Sequence, residues 1–172
     1  MSPAQPVGDP LPGMGELPAQ AAASAPDGSE RPFSVYLHVP YCRVRCGYCD
    51  FNTYTNLTMG QGASAEDFVV TLARELRAAR SAMDTVGLPV RPAQTVFVGG
   101  GTPTMLPASD LVTMLELVRE CFGLAPDAEV TTEANPDSVD EAGLAALAEG
   151  GFSRVSFGMQ SAVPHVLKVL ER

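Results

Sequence analysis

Cys42, Cys46 and Cys49 stand at CxxxCxxC spacing within Tyr36-Leu-His-Val-Pro-Tyr-Cys42-Arg-Val-Arg-Cys46-Gly-Tyr-Cys49-Asp-Phe51. Cysteine thiolates hold iron–sulfur clusters. A 4Fe-4S cube offers one iron to each thiolate, so this triad leaves one iron open to an outside ligand. An open iron can chelate the amino and carboxylate groups of S-adenosylmethionine (SAM) and pass an electron to its sulfonium. Gly47 relaxes the backbone between the second and third ligands. Zinc is the alternative, because the three cysteines with His38 form a set of three sulfurs and one nitrogen. Structural zinc sites more often use two separated pairs, and no second pair follows. Inert thiols are the third reading. A disulfide framework does not suit four cysteines in 172 residues with no secretory segment ahead of them.

The elements that must position the triad follow from periodicity. Phe33 to Val39 is rich in β-formers and predicts a strand that ends at the cysteine loop. Asn52 to Gly62 is polar and irregular. Ser64 predicts a helix cap, with Asp67 in the first turn and Phe68, Leu72 and Leu76 on one face. Gly87 and Pro89 end that helix. Gln94 to Val98 is the second strand and runs into Gly99-Gly-Gly-Thr-Pro103. A helix from about Ala108 carries Leu111, Leu115, Val118 and Phe122, and Gly123 stops it. Ala128 to Thr132 is the third strand, ending at Glu133-Ala-Asn-Pro136. Ser138 and Glu141 predict a capping box for the third helix. Phe152 to Phe157 is the fourth strand, and a helix beginning near Val163 runs to the chain's last residue.

Strand–helix alternation repeated four times implies parallel strands with right-handed crossovers. A doubly wound sheet and a (βα) barrel both satisfy it. The barrel is favoured, because each distinctive motif falls at or just after the carboxyl end of a strand, where barrels build their sites. The expected fold is α/β: a partial (βα) barrel of the TIM type, comprising about the first four βα units. A complete barrel takes about 250 residues, so the chain is expected to be the amino-terminal piece of a longer protein.

Composition narrows the function. The formal net charge is −9, which argues against a nucleic-acid partner. Hydrophobic residues make up 45% of the chain, enough for a core. More than half of residues 1–30 are Ala, Pro or Gly, and no aromatic occurs there. Residues 1–32 are therefore expected to be a disordered leader. No Lys or Arg precedes Arg31, so neither the basic region of a signal peptide nor a basic transit peptide is expected in this stretch. No apolar run reaches the length of a membrane span. The cytoplasm is the expected compartment, and it suits free thiolates.

Each remaining candidate has a plain structural reading beside the functional one. Gly99, Gly100 and Gly101 permit close backbone approach, and their N–H and C=O groups could contact a ligand's amino or carboxylate group. They match neither GxGxxG nor a P-loop. Glu133, at a strand end, could accept from ribose hydroxyls or an amine, or simply be solvated. Gln160 offers an amide that donates and accepts. Arg172 could pair with a carboxylate. His38 reads as a core or supporting residue, and Tyr36 shares its face. Cys121 and the methionines Met105, Met114 and Met159 read as fillers.

Four motifs in order carry a family resemblance. They are Tyr-x-His-x-Pro-x-Cys-x-x-x-Cys-x-Tyr-Cys-Asp-Phe-Asn (36–52), Val-Gly-Gly-Gly-Thr-Pro-Thr (98–104), Thr-Glu-Ala-Asn-Pro (132–136) and Arg-Val-Ser-Phe-Gly-Met-Gln-Ser (154–161). Residues 33–172 resemble the oxygen-independent coproporphyrinogen III oxidase family of radical SAM enzymes, and so read as the amino-terminal part of a radical SAM core domain. The resemblance makes zinc improbable. The family's oxidases decarboxylate coproporphyrinogen III to protoporphyrinogen IX and carry a fourth cysteine two residues after the third. Phe51 stands at that position here, which resembles the haem-chaperone branch (HemW). That branch binds the cluster, SAM and haem, so whether the chain is an enzyme stays open. The resemblance implies a 4Fe-4S cluster on Cys42, Cys46 and Cys49. It places Tyr36 and Tyr48 beside SAM, and Gly100, Gly101, Thr102, Glu133, Gln160 and Arg172 in contact with it. It implies haem or a porphyrinogen as the further ligand, an electron donor, and a protein acceptor for any haem carried.

Overall fold

The computed structural model describes residues 17–18, 32–58 and 64–171. The expected leader lies almost wholly outside the described residues, and Arg172 lies outside them too. Strand β1 (Ser34–Val39) is followed by α1 (Phe68–Thr85), β2 (Ala93–Gly100), a single 3₁₀ turn (Pro103–Met105), α2 (Ala108–Phe122), β3 (Leu124–Ala134), α3 (Glu141–Glu149), β4 (Arg154–Phe157) and α4 (Pro164–Val169). The four strands form one sheet in the order β1-β2-β3-β4, and every neighbouring pair is parallel.

That order decides between the two expected architectures. A doubly wound sheet reverses its strand order at a switch point. Here each new strand adds on the same side, as in a barrel wall. The two faces of the sheet agree. Leu37 and Val39, Val96 and Val98, and Val130 are buried in one cluster with Leu72 and Leu76 of α1, Leu111, Met114, Leu115 and Val118 of α2, and Leu147 of α3. The other face carries Tyr36, paired with Phe97, and Thr131, paired with Arg154. The next row holds His38, paired with Gly99, and Glu133, paired with Ser156. One face is thus apolar and covered by helices, and the other presents aromatic and polar side chains to the lumen side. The chain is a partial (βα) barrel of four βα units.

Local chemistry moved several boundaries. The predicted cap at Ser64 lies one turn ahead of α1. Ser64 Oγ accepts the Asp67 N–H and donates to the Asp67 carboxylate, closing a separate turn before the helix proper begins at Phe68. Asp140, not Ser138, caps α3, with its carboxylate accepting the Gly143 N–H at 2.7 Å. Ser138 Oγ instead exchanges hydrogen bonds with the backbone of Asn135 and meets Thr104 Oγ1 at 2.6 Å. β2 runs on through Gly99 and Gly100, because both pair with β1. β3 begins earlier than predicted, at Leu124 beside Ala93, and α4 ends at Val169. Cys121 and Met114 are core residues, as their surroundings in sequence suggested, whereas Met159 is exposed.

Candidate functional site

The cysteine loop leaves β1 at Pro40 and is fastened at its base. Tyr54 N–H donates to the Pro40 carbonyl at 2.7 Å, and Cys42 N–H donates to the Tyr54 carbonyl at 3.0 Å. A second tie comes from His38. Its Nε2 lies 2.9 Å from the Asn52 carbonyl oxygen, which can only accept, so Nε2–H donates. In the neutral ring Nδ1 then accepts the Tyr36 hydroxyl at 3.1 Å. Arg43 pairs with Asp137 across the outside of the loop, an exposed ion pair of small energetic weight. The loop is therefore held at both ends by backbone bonds and its own histidine.

Each of the three glycines lies close against a different neighbour. A Cβ on Gly99 would meet Glu133 Oε2 at 2.7 Å and Phe97 Cε1 at 2.8 Å. Gly100 has φ of +111° and lies under the His38 ring, whose atoms would be 2.6 Å from a Cβ. A Cβ on Gly101 would meet the Tyr41 carbonyl oxygen at 2.5 Å and Cys42 Sγ at 3.0 Å. The N–H groups of Gly100, Gly101 and Thr102 are all bonded within the fold. Gly100 N–H donates to Glu133 Oε2 at 3.1 Å, Gly101 N–H to the Val39 carbonyl and Thr102 N–H to the Tyr41 carbonyl, both at 2.7 Å. The expectation offered N–H and C=O groups alike to a ligand; these three N–H groups are held instead by β3, β1 and the cysteine loop in turn.

These elements enclose a cavity of about 300 Å³. Cys42, Cys46 and Cys49 line it from one side, with Tyr48 and Phe51. Gly100, Gly101, Thr102 and Glu133 line it from the strand ends, and Gln160 from beyond β4. Nine of the eleven expected site residues thus share one cavity. Tyr36 is not among the lining residues; its hydroxyl is given to His38 and its ring stacks on Phe97 with centroids 6.1 Å apart. Arg172 lies outside the described residues. Glu133 is half-buried rather than a freely solvated strand end. Gln160 adopts φ of +61°, in the left-handed region that a side chain other than glycine's seldom occupies.

Burial first, and the Glu133 carboxylate second, push the Tyr36 phenol above its ordinary value, keeping it protonated beside the site. All four cysteines are free thiols. Among the described residues, no three His, Cys, Asp or Glu side chains gather closely enough to hold a single ion. A cube binds each cysteine through a different iron, so three free thiols on one wall of the cavity suit a cluster in donor type.

Three residues here escaped the sequence reading. Thr53, in the stretch read as irregular, is buried with its hydroxyl 3.9 Å from Cys49 Sγ. Asn135 lines the cavity, and its Nδ2 donates to Thr102 Oγ1 at 3.2 Å. Ser156 lines it from β4. The one available signal was for Asn135, which stands two residues beyond Glu133 at the same strand end.

The family model of the radical SAM superfamily matches residues 36–172. The heme chaperone HemW of Mycobacterium tuberculosis is 46% identical over 162 residues, covering 94% of this chain and 37% of that protein. HemW of Escherichia coli is 36% identical over 141 residues, covering 82% and 35%. Among solved structures, coproporphyrinogen III oxidase (HemN) from Escherichia coli, described as a radical SAM enzyme, superposes with a TM-score of 0.72 at 30% identity, covering 90% of this chain and 33% of that one. The chain spans about a third of the length of the relatives it matches.

Proposed function

The chain belongs to the radical SAM superfamily, and from that premise we propose that it binds a 4Fe-4S cluster and SAM and serves haem metabolism as part of a haem chaperone. The observation that carries this reading is the shared cavity: three free thiols, Gly100, Gly101, Thr102, Glu133 and Gln160 all line it.

Cys42, Cys46 and Cys49 would hold the cluster. When bound, the cluster would supply one-electron reduction of the SAM sulfonium. The protein's own part is to orient and to exclude water. Gly100, Gly101 and Thr102, which line the cavity, would contact SAM. Glu133, fixed by the Gly100 N–H, adds a negative charge beside the SAM ammonium. Gln160 is held by its left-handed backbone to offer its amide from the far wall. Tyr48 covers the same cavity, and Tyr36 acts from behind it through His38. Arg172 belongs to the same proposal by its place in the motif. Residues 33–172 form part of a radical SAM core domain, and residues 1–32 a leader.

Phe51 supports the chaperone branch. It is exposed and lines the cavity where the oxidases carry a further cysteine, so an apolar ring replaces a thiol at the mouth. The relatives named as heme chaperones support it as well. The oxidase reading, conversion of coproporphyrinogen III to protoporphyrinogen IX, draws support from the structural likeness to HemN. Haem, an electron donor and a haem-accepting protein are the partners proposed, with the cytoplasm as the compartment. Among the described residues, no helix is long and apolar enough to cross a membrane.

The test begins with the intact natural chain, reconstituted without oxygen. Iron and sulfide are counted, and the EPR spectrum of the reduced sample is recorded with and without SAM. A single cluster per chain, perturbed by SAM and abolished in Cys42→Ser, is the expected result. Zinc in place of iron in a folded sample overturns it. Stoichiometric haem binding without decarboxylation assigns the chaperone branch; protoporphyrinogen IX formation assigns the oxidase branch.

A further inference from the structure

Two threonine hydroxyls reach two of the three cysteine sulfurs. Thr102 Oγ1 lies 3.8 Å from Cys42 Sγ, and Thr53 Oγ1 lies 3.9 Å from Cys49 Sγ. Thr102 and Thr53 are 5% and 6% exposed, so neither hydroxyl proton has water as an easy alternative. The direction of the first bond is fixed by a third residue. Asn135 Nδ2 donates to Thr102 Oγ1, which occupies an acceptor lone pair and leaves the hydroxyl proton for the sulfur. The second bond takes its direction from chemistry. A metal-bound cysteine is a thiolate with no proton, so Thr53 must be the donor once the cluster is held.

Resting on the cluster reading above, we propose that Thr53 and Thr102 are positioning residues that tune the cluster's reduction potential, with Asn135 orienting the Thr102 hydroxyl. A hydroxyl hydrogen bond withdraws electron density from a ligating sulfur. Reduction adds negative charge to the cluster and so strengthens that bond, which raises the potential. Each bond also fixes the rotamer of a cysteine at an opposite end of the triad. Thr53 belongs to the cysteine loop and Thr102 to the loop after β2, so the device couples the cluster's electronics to the docking of one loop on the other. Among the described residues Cys46 Sγ has no such hydroxyl partner, so the two outer sulfurs differ from the middle one.

The test is a redox titration followed by EPR on the reconstituted intact chain. Thr102→Val and Thr53→Val remove the hydroxyl with little change of shape. Each is expected to make reduction about tenfold less favourable, about 59 mV more negative for a one-electron couple. Thr102→Ser and Thr53→Ser should restore the native value, and Asn135→Leu should shift it in the same direction as Thr102→Val but by less. Val variants that load iron fully and titrate at the native potential overturn the proposal, while leaving the cluster reading intact. If the native chain holds no four-iron cluster, both readings fall together. If a Val variant does not load, resonance Raman of the native protein decides. Iron–cysteine stretches that shift in D₂O in the native chain, and shift equally in the Ser variants, support the hydroxyl bonds; stretches indifferent to D₂O overturn them.

Discussion

Replacing Gly101 by alanine adds one methyl group at the seam between β2 and the cysteine loop. That methyl would lie 2.5 Å from the Tyr41 carbonyl oxygen, 2.9 Å from its carbon and 3.0 Å from Cys42 Sγ. The obstacle is backbone, and it is pinned. The Tyr41 oxygen accepts the Thr102 N–H, and the Gly101 N–H is bound to Val39, both at 2.7 Å. Overpacking of this kind costs about 1–3 kcal/mol, and giving up one of the pinning bonds adds about 1 kcal/mol. For a domain of this size the combined loss lowers the melting temperature by roughly 5–15 °C. Because the atom displaced carries Cys42, iron uptake on reconstitution should fall as well. Gly87→Ala is the control. Gly87 has φ of +70° with nothing within 4 Å of a new Cβ, so it should cost about 1–2 kcal/mol of left-handed strain and leave iron uptake untouched. Differential scanning calorimetry and an iron assay on both variants decide the matter. A Gly101→Ala protein with native melting and native iron would refute the claim that this seam sets the position of Cys42.

Burial, followed by Glu133 for Tyr36 and by Asp67 for Tyr41, pushes both phenols up from 10.0. The fold favours their neutral forms, so the stability they add is complete below pH 10.0 and is lost as pH rises through the raised values. Urea midpoints should fall above pH 10.0, and less steeply in a Tyr36→Phe, Tyr41→Phe double variant; equal slopes would sink the reasoning. Asp140→Ala removes the α3 cap and should cost about 1 kcal/mol in urea denaturation; no change in midpoint would reassign the cap. Glu133→Ala orphans the Gly100 N–H and should cost about 1–3 kcal/mol, whereas Glu133→Gln keeps an acceptor and should melt near the native temperature. Both should weaken SAM binding at unchanged iron content, measured by calorimetric titration, and a Gln variant that binds SAM as tightly as native would remove the carboxylate charge from the site.

The alternation of strands and helices was legible because its signals are local. Apolar periodicity placed α1, α2 and α3, and the motifs at strand ends correctly favoured a barrel wall over an open sheet. Boundaries failed where two local signals competed. Ser64 and Asp67 do form the reciprocal bonds a cap would make, but around an isolated turn, with the helix beginning only at Phe68. Ser138 and Glu141 have capping-box spacing, yet Asp140 intervenes with a carboxylate one residue from the helix start, and it takes the role.

The glycine triplet shows why the sequence marked residues that come to share a cavity but not which of their atoms would face it. Its composition marks a place where backbone must come close to something, and that inference survives. Composition cannot say what approaches. Here Glu133, the His38 ring and the Tyr41 carbonyl do so in turn, while Glu133, Val39 and Tyr41 accept the N–H groups of Gly100, Gly101 and Thr102. The same contacts explain why Thr53 and Asn135 were missed. Thr53 acquires meaning only when Tyr54 is bonded back to Pro40, which carries its hydroxyl under Cys49. Asn135 acquires it only when β3 lies beside β2, within reach of Thr102. A hydrogen bond to sulfur across 60 residues, and one across 33 that orients its donor, leave no periodic trace, so the residues that shape the cysteines' surroundings emerge from topology, while the cysteines themselves are written in spacing.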